Sequence, residues 1–327
     1  MKILVTGGTG FTGSHLVRRL LERGDEVTSL DNQPGLFADE LKERGARLVT
    51  GSVADTDLVQ RTTEGHEVVY HLAAAFRRIN VSKSLYWDVN VNGTRYVLEA
   101  AERSGARKVV YCSTQGVHGH VDTPPGDETS PIAPEDYYQY TKYQGEEVCR
   151  EFMERDMDIT IVRPTAIYGP GDPGRFLMLY RLAKKGRFLM FGSGKTTYHP
   201  VYIENLVDLF ELCERNPEAK GQVFIGGDEH YYTLDDLVTA VGRAMGVDVR
   251  IIHLPFRPLW LAAVVVEFAC LPLRISPPLF RRRVDWFRQV RAFTIQKARN
   301  QLGYKPKVGL SEGLGLTAQW YQANGYL

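Results

Sequence analysis

Four glycines fall within eight residues near the start of the chain, in Thr6-Gly7-Gly8-Thr9-Gly10-Phe11-Thr12-Gly13. Inside a strand or helix each would cost about 0.5–1 kcal/mol relative to alanine. Here they lie between an apolar run, Lys2–Thr6, and a helical pattern, so they mark a turn from strand to helix. The run satisfies G-x-x-G-x-x-G through Gly7, Gly10 and Gly13, and G-x-G-x-x-G through Gly8, Gly10 and Gly13. Either spacing brings backbone amides and a helix N-terminus to a pyrophosphate, where a Cβ would hold the phosphate off. The loop therefore predicts a dinucleotide site, with Gly7, Gly10, Phe11, Thr12 and Gly13 against the cofactor.

Asp31, at the end of the next predicted strand, stands where such a site needs an acid. A carboxylate there accepts hydrogen bonds from ribose hydroxyls and repels a 2′-phosphate. Asn32 and Gln33 follow, with no arginine to welcome that phosphate, so the cofactor is read as NAD, with Asp31 and Asn32 among its contacts. Asp55 reads as a helix cap. His71, ending a buried strand, reads as a satisfied core histidine.

Apolar strands alternate with helical patterns through the first half. Strands are predicted at Lys2–Thr6, Glu26–Leu30, Ala46–Thr50, Glu67–Leu72, Arg107–Cys112 and Asp158–Arg163. Helices are predicted near Gly13–Arg23, Asp55–Thr63, Ser84–Ser104 and Pro134–Arg155. This alternation predicts an α/β fold, a doubly wound parallel sheet with helices on both faces. Pro164, Pro170, Gly171, Pro173 and Gly174 then break the pattern. Further helices are read near Gly174–Lys185, Tyr202–Arg215 and Thr233–Met245, with a strand at Gln222–Ile225 and a mainly helical C-terminal stretch. The expected division is a Rossmann domain over 1–165, with 200–226 returning to it, and a smaller interleaved substrate domain over 166–199 and 227–327.

A net charge of +1 argues against a nucleic-acid partner. The chain runs from Met1 straight into a strand, so a cytoplasmic protein without a signal peptide is expected. Cys112, Cys149, Cys213 and Cys270 lack metal-ligand spacing, and no metal site is expected. Cys112 reads as a structural thiol.

Tyr138 and Lys142 stand four apart, so on a helix they share one face. A nearby ammonium favours phenolate, which makes a proton-transfer pair. The strand Lys108–Cys112 ends in Ser113-Thr114-Gln115-Gly116, and ligands bind at carboxyl ends of strands in open α/β sheets. Ser113 or Thr114 thus offers a hydroxyl beside Tyr138. Asn90, in Val89–Thr94, completes the set.

With these motifs in this order, the chain resembles the extended short-chain dehydrogenases/reductases, the NAD-dependent epimerase/dehydratase superfamily. The matching stretches are Thr6–Gly13, Tyr70–Ala74, Asn90–Thr94, Val110–Gly116, Tyr138–Lys142, Arg163–Gly171 and Val201–Leu206. The resemblance implies that Thr114 holds the substrate oxygen and Tyr138 moves the hydroxyl proton. It implies that Lys142 binds the nicotinamide ribose, that Pro164 packs near the nicotinamide and that Ala73 adjoins the cofactor. It also implies a homodimer built on the helices near Ser84–Ser104 and Pro134–Arg155. Tyr137, Tyr140 and Phe152 give the second helix aromatic surface, which could instead pack within one subunit.

Two substrate classes compete. Sugar-nucleotide members commonly carry an asparagine where this chain has Ala166, and a pyrophosphate-binding arginine where it has Tyr198. Arg163–Gly169 is more similar to the 3β-hydroxysteroid dehydrogenase branch. The expected activity is therefore hydride transfer between NAD and a secondary alcohol or ketone of a hydrophobic, steroid- or lipid-like small molecule, with Ser113, Gln115, Ala166 and Tyr198 against the substrate. The alternative is a nucleotide-sugar epimerase/dehydratase with tightly held NAD, Lys195 or Arg175 replacing the lost charge. A non-catalytic NAD-binding protein ranks third. Leu259–Val266 is continuously apolar but far below the ~20 residues that span a bilayer. It meets Glu267, Pro272 and Arg274, and beyond it Arg281, Arg282, Arg283, Arg288 and Arg291 interleave with Trp286 and Phe287. Two readings stay open for it: packing in the core, or peripheral contact with an anionic membrane surface.

Overall fold

Successive side chains of the central strands go to opposite faces of one sheet, and both faces are dry. Ile3, Val5, Val68, Tyr70, Val110 and Val162 belong to one core, while Leu4, Val69, Val109, Tyr111 and Ile161 belong to a second. Such two-sided burial explains why the strands read as unbroken apolar runs. The computed structural model describes residues 1–76, 82–270, 275, 277–279 and 281–327; of Arg175, Arg282 and Arg283 the backbone alone is described. Pro272 and Arg274 lie outside the described residues.

The first half runs β1 (Lys2–Thr6), α1 (Phe11–Glu22), β2 (Glu26–Asp31), α2 (Ala38–Glu43), β3 (Arg47–Thr50), α3 (Thr56–Thr63) and β4 (Val68–His71). There follow α4 (Lys83–Trp87), a π-turn (Asp88–Asn92), α5 (Gly93–Arg103), β5 (Lys108–Cys112), α6 (Tyr137–Met153) and β6 (Ile159–Pro164). Next come β7 (Ala166–Tyr168), α7 (Arg175–Ala183), β8 (Arg187–Phe191), β9 (Thr197–Tyr198), β10 (Pro200–Tyr202), α8 (Ile203–Arg215) and β11 (Val223–Gly226). The remainder is β12 (Tyr232–Thr233), α9 (Leu234–Ala244), β13 (Arg250–Leu254), α10 (Phe256–Cys270), α11 (Arg281–Val284), α12 (Gln296–Leu302) and α13 (Leu310–Ala323).

Seven strands form one parallel sheet in the order β11-β6-β5-β4-β1-β2-β3. The fold is a Rossmann-type α/β sheet, and its order reverses between β1 and β4, the place where such sheets hold ligands. Leu16 and Leu20 of α1 and Leu206 and Phe210 of α8 cover one face, and α5 and α6 cover the other with Val97, Leu98, Val148 and Phe152. Phe152 is therefore core, and of the aromatic residues read as dimer surface only Tyr137 and Tyr140 remain near solvent.

Three two-stranded sheets, β10-β7, β12-β9 and β13-β8, were not anticipated from sequence. The helix expected over Ser84–Ser104 is interrupted by the π-turn. Asn90 sits there, its Oδ1 accepting from the Ala75 amide at 2.8 Å and its Nδ2 donating to Thr141 Oγ1 at 2.9 Å. α10 also departs from the core reading: of its fifteen residues only Ala263 and Cys270 are buried.

One buried ion pair fixes α6 to the sheet. Glu146 and Arg163 are sealed from water, with Arg163 Nη2 2.6 Å from Glu146 Oε2 and Nε 2.9 Å from Oε1. Arg163 also meets His118 Nε2 at 3.0 Å and donates to the Glu128 carbonyl at 3.2 Å. Burial works to raise the Glu146 pKa, but the Arg163 contacts and the Ser113 hydroxyl outweigh it and hold it below the ordinary carboxylate value. Its charged form thus stabilises the fold above the unfolded carboxylate pKa, and that contribution fades as pH falls through the lower folded value. Glu146→Gln, which strands a buried guanidinium, should cost about 3–5 kcal/mol, and adding Arg163→Met should recover most of it. Urea denaturation of the single and double variants checks this; a single variant as stable as the parent excludes the pair as an anchor.

Candidate active site

The glycine loop closes on itself too tightly for side chains. A Cβ on Gly13 would lie 2.1 Å from the Gly7 carbonyl oxygen, and one on Gly7 would lie 2.8 Å from the Ala73 amide nitrogen. Gly7 also has φ +71°, a conformation open to glycine. The loop ends at Gly10, the residue before the first turn of α1. Phe11 and Thr12 open that turn; the Phe11 ring is 5.7 Å from His15.

Beside the loop lies a cleft of about 260 Å³ lined by Gly7, Gly10, Asp31, Asn32, Ser52, Val53, Ala73, Phe76 and neighbours. Asp31 is held at its edge: Oδ2 accepts from the Thr9 hydroxyl at 2.9 Å and the Thr9 amide at 3.2 Å, while Oδ1 accepts from the Asn32 amide at 2.8 Å. Asp55 caps α3 by accepting from the Leu58 amide at 3.0 Å. Ser52 and Val53, in the loop Gly51–Asp55 that the sequence places beside the adenine, line the cleft because the turn after β3 follows Asp31 in register, Asp31 pairing with Thr50.

Lys142 lies on α6, 1% exposed, with no hydrogen-bond partner for its Nζ among the described residues; the Nζ stands 4.2 Å over the Tyr111 ring. Burial pulls its pKa down to about 8, with Cys112, Cys149 and Glu146 working the other way. An unpaired buried ammonium is costly unless a ligand completes it. Ribose hydroxyls would do so, and the glycine cradle, Asp31 and this ammonium together fit a nicotinamide dinucleotide. Tyr138, one turn earlier, packs its ring 4.8 Å from Phe76, a residue of the cleft wall.

Thr114 starts the turn after β5, its Oγ1 accepting from the Gly116 amide at 3.0 Å. That turn abuts the start of α6: a Cβ on Gly116 would lie 3.0 Å from Gln139 Cγ. Ser113 is engaged elsewhere, its hydroxyl donating to Glu146 at 2.5 Å. Gln115 is buried, its Oε1 without a hydrogen-bond partner among the described residues. Pro164 ends β6, paired with Gly226 of β11. Burial pushes the Cys112 thiol up to about 11 and the His71 imidazole down to about 3. His71 is neutral and satisfied, between Thr6 Oγ1 at 2.7 Å and Thr94 Oγ1 at 3.0 Å.

Past β6, Ala166 donates its amide to the His199 carbonyl at 2.9 Å. Tyr198, 4% exposed, sits between the rings of Phe176 at 6.5 Å and Trp286 at 6.0 Å. Lys195 is exposed. The sequence reading missed Arg291 as a site candidate. A β-bridge sets it against Tyr198, with its amide donating to the Thr197 carbonyl at 3.0 Å.

Residues 3–226 match the NAD dependent epimerase/dehydratase family. The sterol-4-α-carboxylate 3-dehydrogenase (decarboxylating) erg26 of Schizosaccharomyces pombe is 30% identical over 339 residues, covering 98% of this chain and 97% of the relative. The N-acetyl-α-D-glucosaminyl-diphospho-ditrans,octacis-undecaprenol 4-epimerase of Escherichia coli O157:H7 is 28% identical, covering 97% of this chain and 94% of its own. Among solved structures, the dTDP-glucose 4,6-dehydratase DesIV of Streptomyces venezuelae, with NAD bound, superposes with a TM-score of 0.79 at 26% identity, covering 99% of this chain and 98% of that one.

The Lys142 geometry makes a prediction about stability. Between its folded value of about 8 and its ordinary 10.5, the unfolded chain holds a proton that the folded chain has released, so apo stability should rise with pH across that window. Lys142→Met should abolish the slope and raise apo stability near neutral pH by roughly 2–3 kcal/mol, while weakening NADH binding. Urea denaturation across pH and a fluorescence titration measure both; an unchanged slope would reject the buried-ammonium account.

Proposed function

Because the chain belongs to the NAD dependent epimerase/dehydratase family, we propose that it acts as a dehydrogenase or reductase on the secondary alcohol or ketone of a lipophilic, steroid- or lipid-like small molecule. The family makes it an NAD-using enzyme of the extended short-chain dehydrogenase/reductase type. The observation that carries the substrate reading is Tyr198, buried between Phe176 and Trp286 where a diphosphate clamp would need a cation. The sterol-acting relative supports the same reading.

Each residue then has a role. Gly7, Gly10, Phe11, Thr12 and Gly13 would hold the pyrophosphate, Asp31 and Asn32 the adenosine ribose, with Ala73 along the cleft and Pro164 near the nicotinamide. NAD supplies a hydride acceptor when bound. Thr114 Oγ1, already accepting from Gly116, keeps its proton free to donate to the substrate oxygen. Tyr138 takes or returns the proton on that oxygen at its phenol hydroxyl. Lys142, desolvated one turn away, holds ribose and favours the phenolate. Gln115 Oε1 is an open acceptor near Thr114. We assign Ser113 a supporting role through Glu146. Dimerisation is proposed through the face where Tyr140, 40% exposed, neighbours Trp87 and Tyr137. A monomer by light scattering at micromolar concentration would reject it.

Arg291 favours a second reading, 4-epimerisation of a diphosphate-linked sugar, because a β-bridge sets this basic residue against Tyr198. The two differ in cofactor turnover: an epimerase oxidises and re-reduces one substrate, whereas a dehydrogenase exchanges its cofactor each cycle. Purified protein should carry little trapped NAD and form NADH in net from a hydrophobic secondary alcohol. Tyr138→Phe should lower turnover by about 10²-fold or more with NAD binding near normal. Stoichiometric bound NAD, sugar interconversion and no net NADH would move the assignment to the epimerase.

A further inference from the structure

A helix that is apolar on every side normally lies buried. α10 is apolar apart from Arg257 and Glu267, yet of its fifteen residues only Ala263 and Cys270 are buried. Leu261, Val265 and Phe268, spaced i, i+4, i+7 along one face, are 58%, 66% and 63% exposed, and Ile275 just beyond is 54% exposed. Among the described residues, these are four of the five most exposed large apolar side chains; the fifth is Leu36 at 59%. Something outside this subunit should cover that face.

Charge points to the occupant. Residues 256–270 and 281–291 hold six arginines against two carboxylates, in a chain whose net charge is +1. The two carboxylates are already matched, Glu267 to Arg281 at 2.6 Å and Asp285 to Arg288 at 2.6 Å. The first pair also fastens α11 to α10, setting the arginine-bearing segment beside the exposed apolar stripe. Exposed apolar and aromatic groups beside surplus arginine fit the headgroup boundary of an anionic bilayer. A second copy of the same surface would set surplus positive charge against itself. No helix among the described residues is long and apolar enough to cross a membrane, so the geometry fits lying on the surface.

We infer that α10 and the arginine-rich segment after it dock the enzyme on anionic phospholipid, with the substrate pocket opening beside the docked face. The segment touches Tyr198, the residue on which the proposed substrate class rests, and the loop before α6. Trp286 packs on Tyr198, and the Val290 amide donates to His120 Nδ1 at 3.1 Å in the loop leading to α6. A lipophilic substrate would then reach the Tyr198 wall from the bilayer; this last step rests on the proposed substrate class, while docking itself does not.

The test is co-sedimentation of the full chain with vesicles of phosphatidylcholine alone or mixed with phosphatidylglycerol. Binding is expected to the anionic vesicles, weakening as salt rises. Val265→Glu with Phe268→Glu should reduce it at least tenfold, whereas Leu36→Glu, an equally exposed site elsewhere, should not. NADH binding and turnover of a water-soluble secondary alcohol should be unchanged in all three proteins. No vesicle binding, or equal binding to neutral vesicles, overturns the proposal. So does a dimer by light scattering that the double substitution dissociates, with no lipid binding, since a second copy would then be the occupant. Loss of alcohol turnover in the parent protein, with vesicle binding intact, would instead count against the proposed substrate class alone.

Discussion

The buried Glu146–Arg163 pair locates three elements at once. Glu146 follows Tyr138 and Lys142 at four-residue intervals on α6, so all three lie along one stripe of the helix. Ser113, bonded to Glu146, immediately precedes Thr114 at the end of β5. Arg163 immediately precedes Pro164 at the end of β6. A shift of α6 along the sheet would have to break several charge-assisted hydrogen bonds in a dry interior. Paired buried charges often add little net stability over well-packed apolar residues, but breaking one is expensive. Their use here is alignment. They hold a phenol and an ammonium in register with two strand ends.

Lys142 shows the opposite economy. Its ammonium has the Tyr111 ring but no hydrogen-bond acceptor among the described residues, and burial disfavours its charge. Evolution of a merely stable fold would have placed an apolar side chain there. In the role we propose for it, a residue that destabilises the empty protein and is completed by ribose hydroxyls would convert that strain into cofactor affinity. The anchor and the strained group sit one turn apart, and the first makes the second tolerable.

What could be read from sequence follows from how local each signal is. The central strands were legible because both faces are buried, so Ile3-Leu4-Val5 or Val68-Val69-Tyr70 show no polar interruption. The glycine loop was legible because its constraint is backbone geometry within eight residues. β8 and β13 were missed because Arg187–Phe191 pairs with Arg250–Leu254, a contact no local pattern announces. The π-turn at Asp88–Asn92 was hidden for the same reason: Asn90 bonds Ala75 and Thr141 from distant segments. At the site, Tyr138 and Lys142 were visible as an i, i+4 pair. Arg291 was read as part of a basic surface because its bridge to Tyr198 spans most of the C-terminal half. Ser113 could not be told from Thr114 until Glu146 was seen to take its hydroxyl.

Arg291 is also where the two substrate classes divide physically. Arg291, bridged to Tyr198 through its backbone, could offer a diphosphate its guanidinium, but that group is partly committed. Its side chain donates to Gln289 Oε1, and Gln289 in turn donates to Glu135. Burial raises the Glu135 carboxyl, and Arg291 is the first charge to pull it back, so the two feel each other. A diphosphate would have to compete with that carboxylate and displace part of an existing hydrogen-bonded chain. A sterol-like alcohol would ask nothing of Arg291. The arrangement therefore supports the proposed substrate, one recognised by shape and apolar area, with polar contact confined to the oxygen that we propose Thr114 and Tyr138 address.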